Sequence, residues 1–130
     1  MGSFKSVAAA AARKAGLLLK RKLGQTRKIG YKGAVNLVTE MDLLSEKIIG
    51  SEIGQHYPNH SLLAEERIMK QGDSPYRWII DPLDGTTNYA HGYPIFCISI
   101  ALEEKGELIL GVVYEPMRDE LFLAEKGKGA

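Results

Sequence analysis

The sequence has almost no cysteine and no excess of charge of either sign. Its one cysteine is Cys97, set in the apolar stretch IFCISIAL. A single thiol excludes an internal disulfide and fits a reducing compartment. Lys and Arg number 17 against 16 Asp and Glu, and that balance argues against general binding to nucleic acid or membrane. No segment reaches the roughly 18 apolar residues of a bilayer-spanning helix. The opening MGSFKSVAAAAARKAGLLLKRK has the lysine and alanines of a signal peptide. However, Arg13 and Lys14 break the apolar run, and the pattern behind them is helical. It reads as part of a cytoplasmic fold. There is no repeat and no low-complexity tract. What remains is 45% hydrophobic and 25% charged over 130 residues, an ordinary globular composition with room for one domain.

Phe4, Val7, Ala8, Ala11, Ala15, Leu18 and Leu19 recur at three- and four-residue spacing, which predicts a helix ending near Gly24. Basic residues fill its last turns, where the helix dipole favours them. Residues 25–38 have no clear period and read as a mobile loop or irregular hairpin. A second helix is predicted from Thr39, with Thr39 as N-cap and Asp42 as the acid of a capping box. Met41, Leu44, Ile48 and Ile49 form its inner face, and it stops before Pro58. Strands follow at 61–64, 76–80, 94–103, 108–114 and 120–124. EEKGEL and YEPMRDEL read as the turns joining the last three. Two helices before a run of strands imply an α+β fold: a layered helix/sheet sandwich with a largely antiparallel sheet. The chain stops at AEKGKGA, just after a strand, as if inside a larger fold.

Several acids fall at the ends of elements. Asp42 opens the second helix, Glu65 and Glu66 follow SLLA, and Asp81 and Asp84 follow the apolar Trp78-Ile79-Ile80. Each alone has an ordinary explanation as a cap or a solvated loop acid. Together they form a constellation. Pro82 fixes φ, so the chain turns after Asp81 and Asp84 returns toward the same point. Gly85 permits a positive φ, and Thr86 and Thr87 start a helix whose free N–H groups favour an anion. Converging carboxylates repel unless a cation lies between them. Hard oxygen ligands without a His or thiol cluster select Mg2+ or Mn2+ over zinc. A divalent ion beside an anion-binding helix start describes a phosphate-ester site, and carboxylates around two ions set a spacing of roughly 3.5–4 Å.

WIIDPLDGTTNY closely resembles the signature of the inositol monophosphatase family, Mg2+-dependent and lithium-sensitive phosphatases. LVTEMD and LLAEE resemble the family's two upstream motifs, in the same order. GVVYEPMRDELFLAEKGKGA resembles its bacterial and archaeal members. The resemblance covers almost the whole chain. It implies Glu65, Asp81 and the Leu83 carbonyl as ligands of a first metal, and Asp81 and Asp84 as ligands of a second. A third, weak ion would be reached by Glu65 through water. Asp42 and Thr86 would orient and deprotonate the attacking water. The Gly85 and Thr86 N–H groups would cradle phosphate, with Asp84 and Thr87 also on the substrate side. The implied reaction is in-line attack of metal-activated water on a small phosphate monoester. Inositol 1-phosphate is the first expectation, with fructose-1,6-bisphosphatase and nucleotide 3′-phosphatase activities as alternatives within the class. A non-catalytic protein-binding module that keeps the fold is the alternative outside it.

Two departures accompany the resemblance. Ala64 stands where the family has a glycine. The family's second signature, a Trp-Asp motif that completes the second metal and holds the sugar, is missing, because Trp78 is the only tryptophan. Residues 1–130 therefore read as the N-terminal metal-binding portion, inactive alone, with a substrate half outside it. Half a layered fold leaves an apolar sheet face open, so dimerisation or aggregation is expected. Lys32, ahead of Asp42, matches a family lysine near the metals, although a solvated lysine is the ordinary case. His91 has a surface turn as its ordinary place and substrate contact as its functional one. Cys97 reads as core, without a basic neighbour to activate it.

Overall fold

The computed structural model describes residues 3–23, 25, 31–64 and 67–129, apart from the side chains of Tyr31 and Lys32. Two helices, α1 (Phe4–Leu23) and α2 (Tyr31–His56), lie on one face of a six-stranded sheet. The strands are β1 (Ser61–Ala64), β2 (Arg67–Lys70), β3 (Tyr76–Asp84), β4 (Cys97–Glu104), β5 (Glu107–Glu115) and β6 (Glu120–Glu125). A short helix, α3 (Thr86–Ala90), follows β3. The sheet order is β2-β1-β3-β4-β5-β6. Only β1 and β3 run parallel; the other neighbours are antiparallel. This is the expected layered α+β arrangement.

The covered face is built by alternation. Trp78 and Ile80 of β3, Ile98, Ile100 and Leu102 of β4, and Leu110, Val112 and Tyr114 of β5 are buried. They meet Val7, Ala8, Ala11, Ala15 and Leu19 of α1. Small residues let α1 ride close to the strands: a Cβ added at Gly16 would sit 2.6 Å from the Tyr114 ring. On the opposite sheet face Val113 and Phe122 are exposed, so the expected open face is present.

The sequence reading of residues 25–38 is corrected from Tyr31 onward; residues 26–30 lie outside the described residues. Residues 31–38 belong to α2, and Asp42 lies near the middle of that helix rather than at its start. Thr39 is not an N-cap: its hydroxyl donates to the Val35 carbonyl 3.2 Å away, one turn back. The reason is tertiary. Ala34, Val38, Met41, Ser45, Ile49 and Ile53 make one continuous buried stripe at helical spacing, and packing along it overrides the weak propensity of Gly33, Asn36 and Thr39.

The strands sit close to expectation, with three differences: β4 begins at Cys97 rather than at 94, and two concern β2 and β3. β2 was not foreseen, because its RIMK core is short and follows two glutamates. β3 does not stop at Ile80. It runs to Asp84, and no sharp turn follows Asp81. The hairpin EEKGEL is confirmed: Lys105 and Gly106 both have positive φ, the signature of a two-residue turn matched to strand twist.

Candidate active site

The site begins as an irregularity in the sheet. Asp81 pairs with Ser99 and Asp84 with Cys97. Pro82 and Leu83 on β3 therefore oppose Ile98 alone. That is a β-bulge, which bends a strand and re-aims its side chains. Pro82 suits the place because it has no N–H to offer the ladder. The Leu83 N–H donates to Asp81 Oδ1 at 3.4 Å, folding the carboxylate over the bulge. The Leu83 side chain is buried, whereas Asp84 is exposed.

Gly85 ends the strand with φ 96° and ψ 40°, where an L side chain is strained. A Cβ there would also lie 3.2 Å from the Ile95 carbonyl oxygen. Both facts require glycine. α3 starts immediately after it, as expected, but has only five residues. Tyr89 anchors it: its hydroxyl donates to the Leu19 carbonyl at 2.7 Å, tying α3 to α1.

Asp42 of α2 meets Thr86 and Thr87 of α3, with His91, in one cleft of about 410 Å³. Val38 and Ala90 supply apolar wall. Asp84 and Gly85 open on a second, smaller cleft of about 210 Å³ that includes Cys97 and Glu115. Cys97 is half-buried there rather than enclosed in the core. Its thiol donates to Asp84 Oδ2 at 3.7 Å. Burial first, and then the Asp84 charge, push its pKa up to about 11.

Glu65 lies outside the described residues, as does the Lys32 side chain. His91 is exposed just past α3 and reaches the cleft rim. Among the described residues, no three His, Cys, Asp or Glu side chains gather into a metal-holding cluster. The donors at the bulge, two carboxylates and a backbone carbonyl, are hard oxygens and suit Mg2+ or Mn2+ in kind. In number they do not make a complete site by themselves.

Sequence reasoning passed over two residues of α2. Ser45 of α2 is fully buried and donates to the Pro82 carbonyl at 2.7 Å. Glu46 is buried beside the cleft and forms an ion pair with Arg67, the first residue of β2. The signal was available: Ser45 and Glu46 follow Asp42 by three and four residues, so all three share a helix face.

The chain matches known proteins in sequence and in shape. Residues 2–130 match the model of the inositol monophosphatase family. The chain is 46% identical over 123 residues to an inositol-1-monophosphatase of Mesorhizobium japonicum, covering 92% of this chain and 46% of that protein. It is 44% identical to the Nus factor SuhB of Vibrio cholerae, covering 96% of this chain and 48% of that one. The crystal structure of the extragenic suppressor protein suhB from Bartonella henselae superposes with a TM-score of 0.87 at 42% identity. That match takes in 98% of this chain and 50% of the other. The chain thus spans about half the length of the relatives it matches. A bulged Asp-Pro-Leu-Asp strand end, a glycine-started α3 and a match over nearly every residue lead to one conclusion: this chain belongs to the inositol monophosphatase family.

Proposed function

We propose that the chain supplies the metal- and phosphate-binding portion of a Mg2+-dependent phosphatase acting on a small phosphate monoester, with inositol 1-phosphate as the first substrate to test. The supporting observation is the cleft in which Asp42 of α2 faces Thr86 and Thr87 of α3, beside the Asp81–Asp84 bulge. In this reading Asp81, Asp84, the Leu83 carbonyl and Glu65 hold the divalent ions. When bound, the ions supply positive charge that polarises the phosphoryl oxygens and acidifies water. Asp42 accepts the proton of the attacking water, and the Thr86 hydroxyl orients it. The N–H groups of Gly85 and Thr86 take a phosphate oxygen, and Thr87 borders it. Water adds to phosphorus, the P–O ester bond breaks, the leaving oxygen takes a proton from solvent to become an alcohol, and inorganic phosphate remains.

This reading assigns further ligands and the polyol contacts to residues outside these 130, in keeping with the half-length match to the relatives. The chain alone is therefore expected to be inactive, and the Thr and Asp side chains here to act with a partner half. The test is phosphate release from inositol 1-phosphate with and without Mg2+, by the 130-residue chain and by a protein joining it to a Trp-Asp-bearing half. Mg2+-dependent release only by the joined protein is expected. Turnover by the chain alone overturns the division of labour, and no turnover by either overturns the enzyme reading. That last outcome favours the second reading, a non-catalytic protein-binding role.

A further inference from the structure

One turn of α2 faces the bulge of β3, and the buried polar residues among the helix's described positions fall there. The inner side of α2 is apolar along its length, with Val38, Met41, Ile49 and Ile53 buried. The two buried polar residues among its described positions are Ser45 and Glu46, and both fall within four residues of Asp42. Packing alone gives no reason for a hydroxyl at Ser45, since alanine fills nearly the same space. The hydroxyl has a specific acceptor in the Pro82 carbonyl, 2.7 Å away and out of contact with water.

That carbonyl belongs to the residue between Asp81 and Leu83. The strand register gives Pro82 and Leu83 no ladder partner on β4, and the pairing of β3 with β1 ends at Ile80. A buried backbone carbonyl requires an acceptor's partner from somewhere, and Ser45 provides it. We infer that Ser45 is a positioning residue: its hydroxyl fixes the Pro82 peptide to α2 and so sets the Asp81 and Asp84 carboxylates on either side relative to Asp42. The inference rests on the reading of those aspartates as cation ligands. It adds a residue that touches neither ion nor substrate and acts through the backbone.

The 130-residue chain contains its own probe. Trp78 is the only tryptophan and precedes Asp81 by three strand residues, on the order of 10 Å. It can therefore sensitise luminescence from Tb3+, a hard oxygen-seeking surrogate for Mg2+. Three measurements are made on the wild type, Ser45→Ala, Ser45→Thr and Asp81→Asn: thermal melting without metal, amide exchange at Leu83 and Asp84, and Tb3+ half-saturation. Ser45→Ala is expected to melt cooperatively, to exchange about tenfold faster at Leu83 and Asp84, and to need about tenfold more Tb3+, the worth of one buried hydrogen bond. Ser45→Thr, which keeps the hydroxyl, restores both readings. If Ser45→Ala does not fold, the near-isosteric weak donor of Ser45→Cys takes its place. Unchanged exchange overturns the anchor. Faster exchange with unchanged Tb3+ affinity overturns the positioning role. A wild-type Tb3+ signal that Asp81→Asn leaves intact overturns the cation reading and the positioning role with it, while the exchange data still report on the anchor separately.

Discussion

The two ends of β3 are built by opposite means. At its start, Tyr76 and Trp78 sit in an aromatic cluster. Phe4 lies edge-on to Tyr57 at 5.1 Å between ring centroids, and His60 stacks on Tyr57 at 4.7 Å and on Tyr76 at 4.8 Å. Trp78 is fully buried, and its Nε1–H donates to His60 Nδ1 at 2.9 Å. The strand is in register on both sides there. At its other end the ladder slips, the side chains are acidic, and the backbone is held by a helix hydroxyl instead of a neighbouring strand. The difference shows how a fold carries repelling charges. A rigid apolar segment fixes the direction of the strand, and the polar end is irregular only over the few residues that need it.

Replacing the apolar end gives the largest effect. Trp78→Ala removes the largest buried ring of the cluster and leaves a cavity; it should cost about 3–5 kcal/mol in urea unfolding. A loss below about 1 kcal/mol would break the contrast, because the strand start would then not be its rigid part.

The acidic end should behave in the opposite way. Asp81→Asn relieves charge repulsion at the bulge, so melting without metal should stay equal or rise. Divalent-ion affinity should fall by at least about a hundredfold, since changes merely next to a ligand already cost about 10–100-fold. Calorimetric Mn2+ titration of the joined protein reads this, and unchanged affinity would remove Asp81 from the ligand set.

Just past the acidic end, Gly85→Ala forces a side chain into φ 96° against the Ile95 carbonyl. A loss of about 1–3 kcal/mol is expected, and an unchanged urea midpoint would show that the backbone relaxes freely there.

The smallest effect is in pH. Burial, and secondarily the Lys70 charge, hold the His60 pKa below its usual value, so folded His60 stays neutral and accepts the Trp78 proton. The unfolded chain takes up a proton near pH 6.5. Stability is therefore full above about 6.5 and declines as the pH falls through it. Glu52 has the same sign in a lower window, because the hydrogen bond from Lys14 depresses its pKa. His60→Asn, which keeps an acceptor but does not titrate, should flatten the melting temperature between pH 7.5 and 5.5. An equally steep slope in the variant would place the titration elsewhere.

The comparison also shows which parts of the molecule were legible in advance. The alternation that buries Trp78, Ile80, Ile98, Ile100 and Leu102 is visible in the sequence, since strand period depends only on the residues themselves. The same holds for the α1 face and the Lys105–Gly106 turn. The motif around Asp81, Asp84, Gly85 and Thr86 was legible because glycine and proline act locally on φ. The start of α2 was not: Gly33, Asn36 and Thr39 discourage a helix, and only tertiary burial of the stripe from Ala34 and Val38 onward outweighs them.

By itself the sequence determined the layered α+β class, the family and the local geometry at Gly85, each a matter of local pattern or local backbone freedom. The tertiary structure alone decided that Asp42 sits within a helix, that Asp81 and Asp84 flank a bulge rather than a turn, and that Ser45 holds that bulge in place. These depend on residues far apart in the chain meeting across the core, and such meetings leave no period in the sequence.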